Sequence, residues 1–226
     1  MNYFNYKQDE FIKVDEGKIL RVDINPQKAC IFNCVMCNHK KTMYMGEWHD
    51  FGPVEDSLKY LGEKIVQENP ELVEVYGQGD VLTNTNLGAV IDCIHNHGLP
   101  VRILTNSYLV GIGEHMRLAS MCEEVVAAIG LTNEADFKKI HRPLEEMDLT
   151  AAKQIESLVT FSKQYKGKLK LRIFLLKGYN DSDEKVKELK SVIDRVNYDS
   201  LWVATTQKLS ISDERVEEII EVLNTK

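Results

Sequence analysis

The segment ILRVDINPQKACIFNCVMCNHK (residues 19–40) joins a short apolar run to three closely spaced cysteines. Isoleucine, leucine and valine dominate the run at residues 19–24, which therefore predicts a buried strand. The residues after it are mostly polar and predict a loop. Cys30, Cys34 and Cys37 lie in that loop with C-x3-C-x2-C spacing, and no fourth cysteine follows nearby. The segment thus predicts a strand whose end carries three thiol groups.

Five further apolar runs of strand length alternate with segments that have the spacing of amphipathic helices. The predicted strands cover residues 72–76, 101–104, 125–129, 169–176 and 201–204. Helices are predicted from Pro53 onward, around residues 87–94 with a stop at Gly98, at about 149–165, at 183–196, and after an N-cap at Ser212. This alternation predicts the α/β class, either as a doubly wound open sheet or as a partial (β/α)6 TIM-like barrel of parallel strands with outer helices. Because no linker or repeat interrupts the 226 residues, we expect one domain over residues 1–226.

The residues that follow the predicted strands are polar or rich in glycine. They read GQGD (residues 77–80), TNS (105–107), GLTNE (130–134), KGYND (177–181) and TTQ (205–207). Ligands of parallel α/β proteins bind at the carboxyl ends of the strands. We therefore expect a binding site there, beside the cysteine triplet.

Composition narrows the possible classes of protein. The formal net charge of −7 argues against a broad nucleic-acid-binding surface. The N-terminal residues are polar and lack the apolar segment of a signal peptide, and the longest apolar runs are too short to span a bilayer. We therefore expect a cytoplasmic protein with no membrane partner.

The five cysteines of a cytoplasmic chain are expected to be metal ligands or buried thiols rather than disulfides. Cys93 and Cys122 lie among apolar residues of predicted helices, so we expect them in the core. The triplet could hold zinc together with His39, although structural zinc sites usually use paired C-x2-C units. An iron–sulfur cluster suits the spacing better, and three thiolates leave one iron of a [4Fe–4S] cluster open to a further ligand.

The triplet and several later stretches resemble the radical S-adenosylmethionine (radical SAM) superfamily. VEVYGQGDVLTN (residues 73–84) is similar to its glycine-rich motif, although Asp80 replaces the usual Glu and Val81 the usual Pro. Similar stretches are VRILTNSYLV (101–110), DFKKIHRP (136–143), YKGKLKLRIFLLKGYNDSDEKVKEL (165–189) and SISDERVEEIIEVL (210–223). From residue 19 to 223, the chain resembles a compact subgroup of iron–sulfur oxidoreductases related to wyosine-type tRNA-modifying enzymes.

The resemblance implies a partial barrel and a specific chemistry. Cys30, Cys34 and Cys37 would bind three irons of a [4Fe–4S] cluster, and S-adenosylmethionine would bind the fourth iron. One electron would cleave S-adenosylmethionine to methionine and a 5′-deoxyadenosyl radical, which removes a hydrogen atom from a substrate. A reducing partner such as a flavodoxin or ferredoxin is implied by analogy.

The resemblance also implies residues that bind S-adenosylmethionine. They belong to three motifs: the glycine-rich stretch, the end of the next strand, and the cysteine loop. The candidates are Gly77, Gln78, Gly79, Asp80, Thr105, Asn106, Met36, Asn38 and His39. A turn, a cap or a solvated loop is the simpler explanation for several of them.

Arg172 is the candidate catalytic residue because it interrupts an apolar strand. If it points into the barrel, it needs an anionic partner, which could be Asp80, the cosubstrate carboxylate or the substrate. If it points outward, it is an ordinary solvated arginine. His141 and Arg142 are expected in a long loop after the strand at 125–129. Residues 42–52 form an unusually apolar loop that we expect to pack on the first helix.

The sequence leaves the substrate unidentified. We expect a small molecule or a peptide, because the net charge is negative and no cysteines precede the triplet for the second cluster of wyosine-type enzymes. Other possible functions are activation of a glycyl-radical enzyme, tRNA modification, and a non-catalytic zinc or cluster module.

Overall fold

The computed structural model describes residues 1–6, 17–39, 41–42 and 44–225. Residues 7–16, on which the prediction about a signal peptide partly rests, lie outside this set, as do Lys40 and Met43.

The described chain alternates strands and helices along most of its length. The strands are β1 (Asn5–Tyr6), β2 (Ile19–Asp23), β3 (Ala29–Cys30), β4 (Tyr44–Met45), β5 (Leu72–Tyr76), β6 (Val101–Thr105), β7 (Glu124–Ile129), β8 (Lys168–Leu175) and β9 (Ser200–Thr205). The helices are α1 (Glu55–Glu68), α2 (Leu87–Asn96), α3 (Gly113–Ser120), α4 (Glu134–His141), α5 (Ala151–Gln164), α6 (Asp183–Ile193) and α7 (Asp213–Asn224). All six predicted strands are present, with ends that differ by one residue at most.

The main sheet has the strand order β1-β2-β5-β6-β7-β8-β9. Strands β2 to β9 of this sheet pair in parallel, and β1 is antiparallel to β2. A doubly wound sheet reverses its order at a switch point, whereas this order follows the chain throughout. Because β1 borders one edge and β9 the other, the sheet is open. The α/β class and the partial barrel are confirmed, and the doubly wound alternative is wrong.

The two faces of the sheet differ in character. One face packs against all seven helices in a single apolar core, which includes Val22, Val75, Ile103, Val125 and Leu171. Because strand residues alternate between faces, the opposite face carries Arg21, Glu74, Arg102, Glu124 and Lys170. We call this second face the inner face.

Two helix predictions need correction. His141 ends α4 and Arg142 is its left-handed C-cap, so neither lies in a long loop. The Asn133 side chain caps the start of this helix by accepting a hydrogen bond from the Asp136 amide, and Phe137 of the helix is buried in the core. Cys122 is buried as expected, but it lies in a turn just after α3 rather than in a helix. Cys93 is on α2 and only half-buried, so it is not a full member of the core.

The remaining predictions concern an N-cap and an apolar loop. The Ser212 side chain accepts a hydrogen bond from the Arg215 amide, which confirms it as the N-cap of α7. In the apolar loop, Trp48 stacks on His115 of α3 at 4.0 Å between ring centroids, rather than on the first helix. Within the described residues, the longest apolar helix falls short of what a membrane crossing requires.

Candidate functional site

The cysteine loop is fastened to the glycine-rich stretch at its first end. The Ala29 amide donates to the Gln78 carbonyl at 2.9 Å, and the Asp80 amide donates to the Ala29 carbonyl at 2.8 Å. These two hydrogen bonds form a parallel bridge between Ala29 and Gly79. They hold Cys30 at the carboxyl ends of β2 and β5.

The middle of the loop is fastened to the end of α4. The Asn33 amide donates to the His141 carbonyl at 2.9 Å, and the Val35 amide donates to the Ile140 carbonyl at 2.9 Å. At the last cysteine of the loop, the Lys208 ammonium group donates to the Cys37 carbonyl at 2.8 Å. The loop therefore joins the first strands of the arc to residues that follow β7 and β9.

The thiols of Cys30 and Cys34 lie in a poorly solvated position. Cys30 is 6% exposed, and burial raises the pKa of its thiol to about 12. Burial also raises the pKa of Cys34, and the buried Lys28 acts in the opposite direction on both thiols. Without a metal these two thiols are therefore protonated at neutral pH, and metal binding must displace their protons.

Two side chains can donate hydrogen bonds to the sulfur atoms. The Asn106 amide nitrogen Nδ2 is 3.6 Å from Cys30 Sγ. The His141 ring nitrogen Nδ1 is 3.1 Å from Cys34 Sγ. His141 is 7% exposed, stacks on Phe32 at 4.8 Å, and has its pKa lowered to about 4 by burial. It is thus a neutral imidazole against a cysteine, a contact that the sequence analysis did not predict.

The glycines of the GQGD stretch are required by the packing of the chain itself. Gly79 has a φ of +104°, and a Cβ there would lie 1.8 Å from the Ala29 carbonyl oxygen. A Cβ on Gly77 would lie 2.4 Å from the Asn25 side-chain nitrogen. Glycine permits this close approach of the stretch to the cysteine loop, and no other residue would.

Asp80 is fully buried and its carboxylate is occupied by protein donors. Its Oδ1 accepts from the Leu82 amide at 3.0 Å, and its Oδ2 accepts from the Thr105 hydroxyl at 2.8 Å and the Asn106 amide at 2.7 Å. Burial raises the pKa of Asp80, and these hydrogen bonds oppose the shift. In this structure the carboxylate therefore holds Thr105 and Asn106 against the glycine-rich stretch.

The cofactor-binding candidates of the cysteine loop separate into two environments. Met36 and Val35 pack against a small apolar cluster of Leu131, Ile140 and Leu176, at the carboxyl ends of β7 and β8. Asn38 and His39 are exposed at the end of the loop. The apolar cluster forms a surface on which a flat ring can pack, and the exposed pair can offer backbone groups to its edge.

Arg172 lies on the inner face of β8, beside Ala128 of β7 and Trp202 of β9. Its guanidinium group lies over the Phe174 ring at 4.5 Å from the centroid. Burial lowers the pKa of Arg172, and Glu74 partly offsets that shift. The structure thus settles the direction of this side chain, which the sequence left open.

The geometry of the thiols bears on the kind of metal group they suit. A zinc ion gathers its ligands around one centre, whereas an iron–sulfur cluster spreads its thiolate ligands over separate irons. The donor set of three cysteines, with nitrogen donors at two of the sulfurs, fits the cluster.

Comparison with protein families gives one match. Residues 24–189 match the model of the Radical SAM superfamily. This range includes the cysteine loop, the glycine-rich stretch and strands β5 to β8.

Comparison with individual proteins gives more distant similarities. GTPase Obg from Brachyspira hyodysenteriae is 26% identical over 199 residues, which are 85% of this chain and 28% of that protein. A UPF0026 protein from Methanocaldococcus jannaschii is 25% identical over 194 residues, which are 84% of this chain and 60% of that protein. The chain therefore spans only part of the length of these relatives.

Among solved structures, that of TYW1 with a bound lysine-pyruvate adduct superposes with a TM-score of 0.68 and 13% identity. The match covers 92% of this chain and 73% of that one. At this identity, the likeness concerns the fold.

Proposed function

Because the chain belongs to the radical SAM superfamily, we propose that Cys30, Cys34 and Cys37 hold a [4Fe–4S] cluster with one iron left for S-adenosylmethionine. When bound, the cluster supplies the electron that cleaves S-adenosylmethionine to methionine and a 5′-deoxyadenosyl radical, which removes a hydrogen atom from the substrate. The observation that carries this proposal is the trio of cysteines on a loop that hydrogen bonds hold at the strand ends.

The surroundings of the thiols support this assignment. Three thiolates in a buried site repel one another unless nearby groups stabilise their charge. Asn106 and His141 are positioned to donate hydrogen bonds to two of the sulfurs, and Lys28 adds a positive charge. Such groups orient the ligands of a metal site and tune its potential.

We propose three contact regions for S-adenosylmethionine. The apolar cluster around Met36 is suited to the adenine ring, and the backbone of Asn38 and His39 to its edge. The Gly77, Gln78 and Gly79 backbone, with Thr105 and Asn106, is suited to the polar amino acid and ribose groups. Asp80 acts indirectly, because its hydrogen bonds fix the positions of the two residues at the end of β6.

For the substrate, we propose a small molecule or a peptide that enters the open side of the arc. Activation of a glycyl-radical enzyme and tRNA modification remain alternatives, as does a non-catalytic zinc or cluster module. The net charge of −7 argues against tRNA. A reducing partner such as a flavodoxin or ferredoxin would supply the electron, and the proposed location is the cytoplasm.

The test is cleavage of S-adenosylmethionine by the chain after anaerobic reconstitution with iron and sulfide. With dithionite as the reductant, we expect 5′-deoxyadenosine from the natural chain and none from Cys34→Ala. Cys93→Ala is the matched control, because Cys93 lies on α2 away from the loop, and it should retain the activity.

Two results would contradict the proposal. One is continued formation of 5′-deoxyadenosine by Cys34→Ala. The other is a reconstituted protein that contains iron and sulfide but yields no cleavage product, which would favour the non-catalytic module.

A further inference from the structure

On the inner face, the charged side chains nearer the amino ends of the strands form a ladder of ion pairs. Arg21 Nε lies 2.6 Å from Glu74 Oε1, and Arg102 joins Glu74 at 3.4 Å to Glu124 at 2.7 Å. The Lys170 ammonium group lies 3.0 Å from Glu124. Lys168 adds a third cation to Glu124 at 3.7 Å, so each carboxylate of this ladder already has at least two cationic neighbours.

Arg172 lies on β8 two residues beyond Lys170, towards the carboxyl end of the strand. Unlike the cations of the ladder, it has no carboxylate partner among the described residues. Its Nε is buried and makes no hydrogen bond, and among the described residues no carboxylate forms an ion pair with it. A cation removed from water without a partner is costly, so a position like this favours an anion that arrives from outside the chain.

In the part of the chain that the structure describes, the nearest candidate carboxylates are already engaged elsewhere. Asp80 was a possible partner from the sequence, but three protein donors already occupy its carboxylate. Glu74 and Glu124 are held by the ladder below. The guanidinium group instead rests on the Phe174 ring, which leaves its edge free to donate hydrogen bonds.

The inner face is partly accessible to solvent beside Arg172. Its direct neighbours in the sheet are Ala128 and Trp202, and all three residues are partly exposed, whereas the ladder below is largely buried. Tyr76, on the same face of β5, has a buried hydroxyl group that also lacks a hydrogen bond. The Arg21 guanidinium group lies over the Tyr76 ring at 4.9 Å from the centroid, so Tyr76, like Arg172, borders the ladder.

We infer that Arg172, with Tyr76 as a second donor, binds an anionic group of the substrate, either a carboxylate or a phosphate. This inference rests on the proposed function, since it names the substrate class for that site. A guanidinium group pairs with both anions through two parallel hydrogen bonds, and the aromatic rings of Phe174 and Trp202 can flank the rest of the substrate.

S-adenosylmethionine also has a carboxylate, so the test must separate the two sources. The probe is succinate, measured by saturation-transfer NMR on the chain loaded with its cluster, at constant ionic strength and without reductant. Succinamide is the neutral counterpart, and inorganic phosphate serves as a competitor. We expect succinate to bind, phosphate to compete with it, and succinamide not to bind.

Variants then connect the binding to the residue. Arg172→Met should weaken succinate binding at least about tenfold, and Tyr76→Phe should weaken it less, because a charge-assisted hydrogen bond contributes more than a neutral one. Arg172→Lys should retain part of the binding. Arg195→Met, an exposed arginine paired with Glu156, is the control and should bind as the natural chain does.

These binding measurements test the inference whether or not the chain cleaves S-adenosylmethionine. Succinate binding that is unchanged by saturating S-adenosylmethionine supports a substrate site. If S-adenosylmethionine displaces succinate, Arg172 serves the cosubstrate and the inference is wrong. It is also wrong if succinate does not bind or if a folded Arg172→Met variant binds it normally. A natural chain that binds succinate but fails to cleave S-adenosylmethionine would refute only the proposed function.

Discussion

At the scale of single residues, the contact between His141 and Cys34 connects parts of the chain that are 107 positions apart. A thiolate has no proton to donate, so once Cys34 binds metal the proton between them must be on His141 Nδ1. Hydrogen bonds to cluster sulfurs stabilise the more negative, reduced form. We therefore treat His141 as a positioning residue for Cys34.

The first prediction concerns this contact. In His141→Phe the ring can still stack on Phe32 while the hydrogen bond is lost. We expect iron binding to weaken by about tenfold to a hundredfold and the midpoint potential, measured by EPR-monitored titration, to fall. His141→Gln can donate from its amide and should recover part of both values. Equal potentials in the Phe variant and the natural chain would contradict the role. His95→Phe, at a partly exposed position on α2, is the control.

At the scale of secondary structure elements, the ladder on the inner face links strands β2, β5, β6, β7 and β8. Burial alone would raise the pKa of Glu124, but hydrogen bonds from Lys170 and Arg102 outweigh burial and lower it. The stability that Glu124 contributes is therefore present above the ordinary glutamate pKa of 4.5 and is lost as the pH falls through its lower folded-state pKa.

The second prediction removes the centre of the ladder. Arg102→Met takes a cation from both Glu74 and Glu124, and we expect the free energy of unfolding to drop by about 3–5 kcal/mol at pH 7. The loss should shrink in acid, because protonated carboxylates need no cation. Urea titrations followed by circular dichroism measure both effects. As a control, Arg195→Met removes an exposed ion pair and should lower the free energy of unfolding by less than about 1 kcal/mol. An equal loss in both variants would contradict the prediction.

Sequence patterns predicted the elements better than the contacts between them. The strand at Leu72–Tyr76 is predicted to the residue, because its apolar run is clear and polar residues bound it. Helix α4 was not predicted, because it is short and half of the residues in its stretch DFKKIH are charged. The two-residue strands β1, β3 and β4 are too short to produce any pattern.

Contacts that depend on register could not be predicted from the sequence. The ladder joins Arg21 to Glu74 across 53 positions and Arg102 to Glu124 across 22, and neither pair shares a local motif. The direction of Arg172 follows from the alternation of LKLRIFLL only once the helix-covered face is known. The cysteine triplet is different, because its three residues lie in one loop and their spacing alone indicates the kind of metal group.

At the scale of the whole molecule, six parallel strands form an arc that is too short to close, with β1 along one edge. The seven helices of the described chain share one core with the outer face of that arc. We propose on this basis that residues 1–226 are a single domain. A shared core predicts that both halves of the chain unfold together.

The third prediction tests this cooperativity with the two tryptophans. Trp48 reports on the first half of the chain, and Trp202 on β9 reports on the last strand of the sheet. In Trp202→Phe and Trp48→Phe, fluorescence should show urea midpoints that coincide with the circular dichroism of the same protein. Two separate midpoints would show that the chain contains more than one folding unit.

The attachment of the cysteine loop has a consequence for how the protein matures. Backbone hydrogen bonds from the glycine-rich stretch and from α4 hold the loop at several points, and none of these bonds uses a thiol group. Little conformational entropy then remains to be lost when the cluster is inserted, unlike in a zinc finger, whose folding waits for its metal. We expect the chain to stay folded, with an unchanged circular dichroism spectrum, when chelators remove its iron.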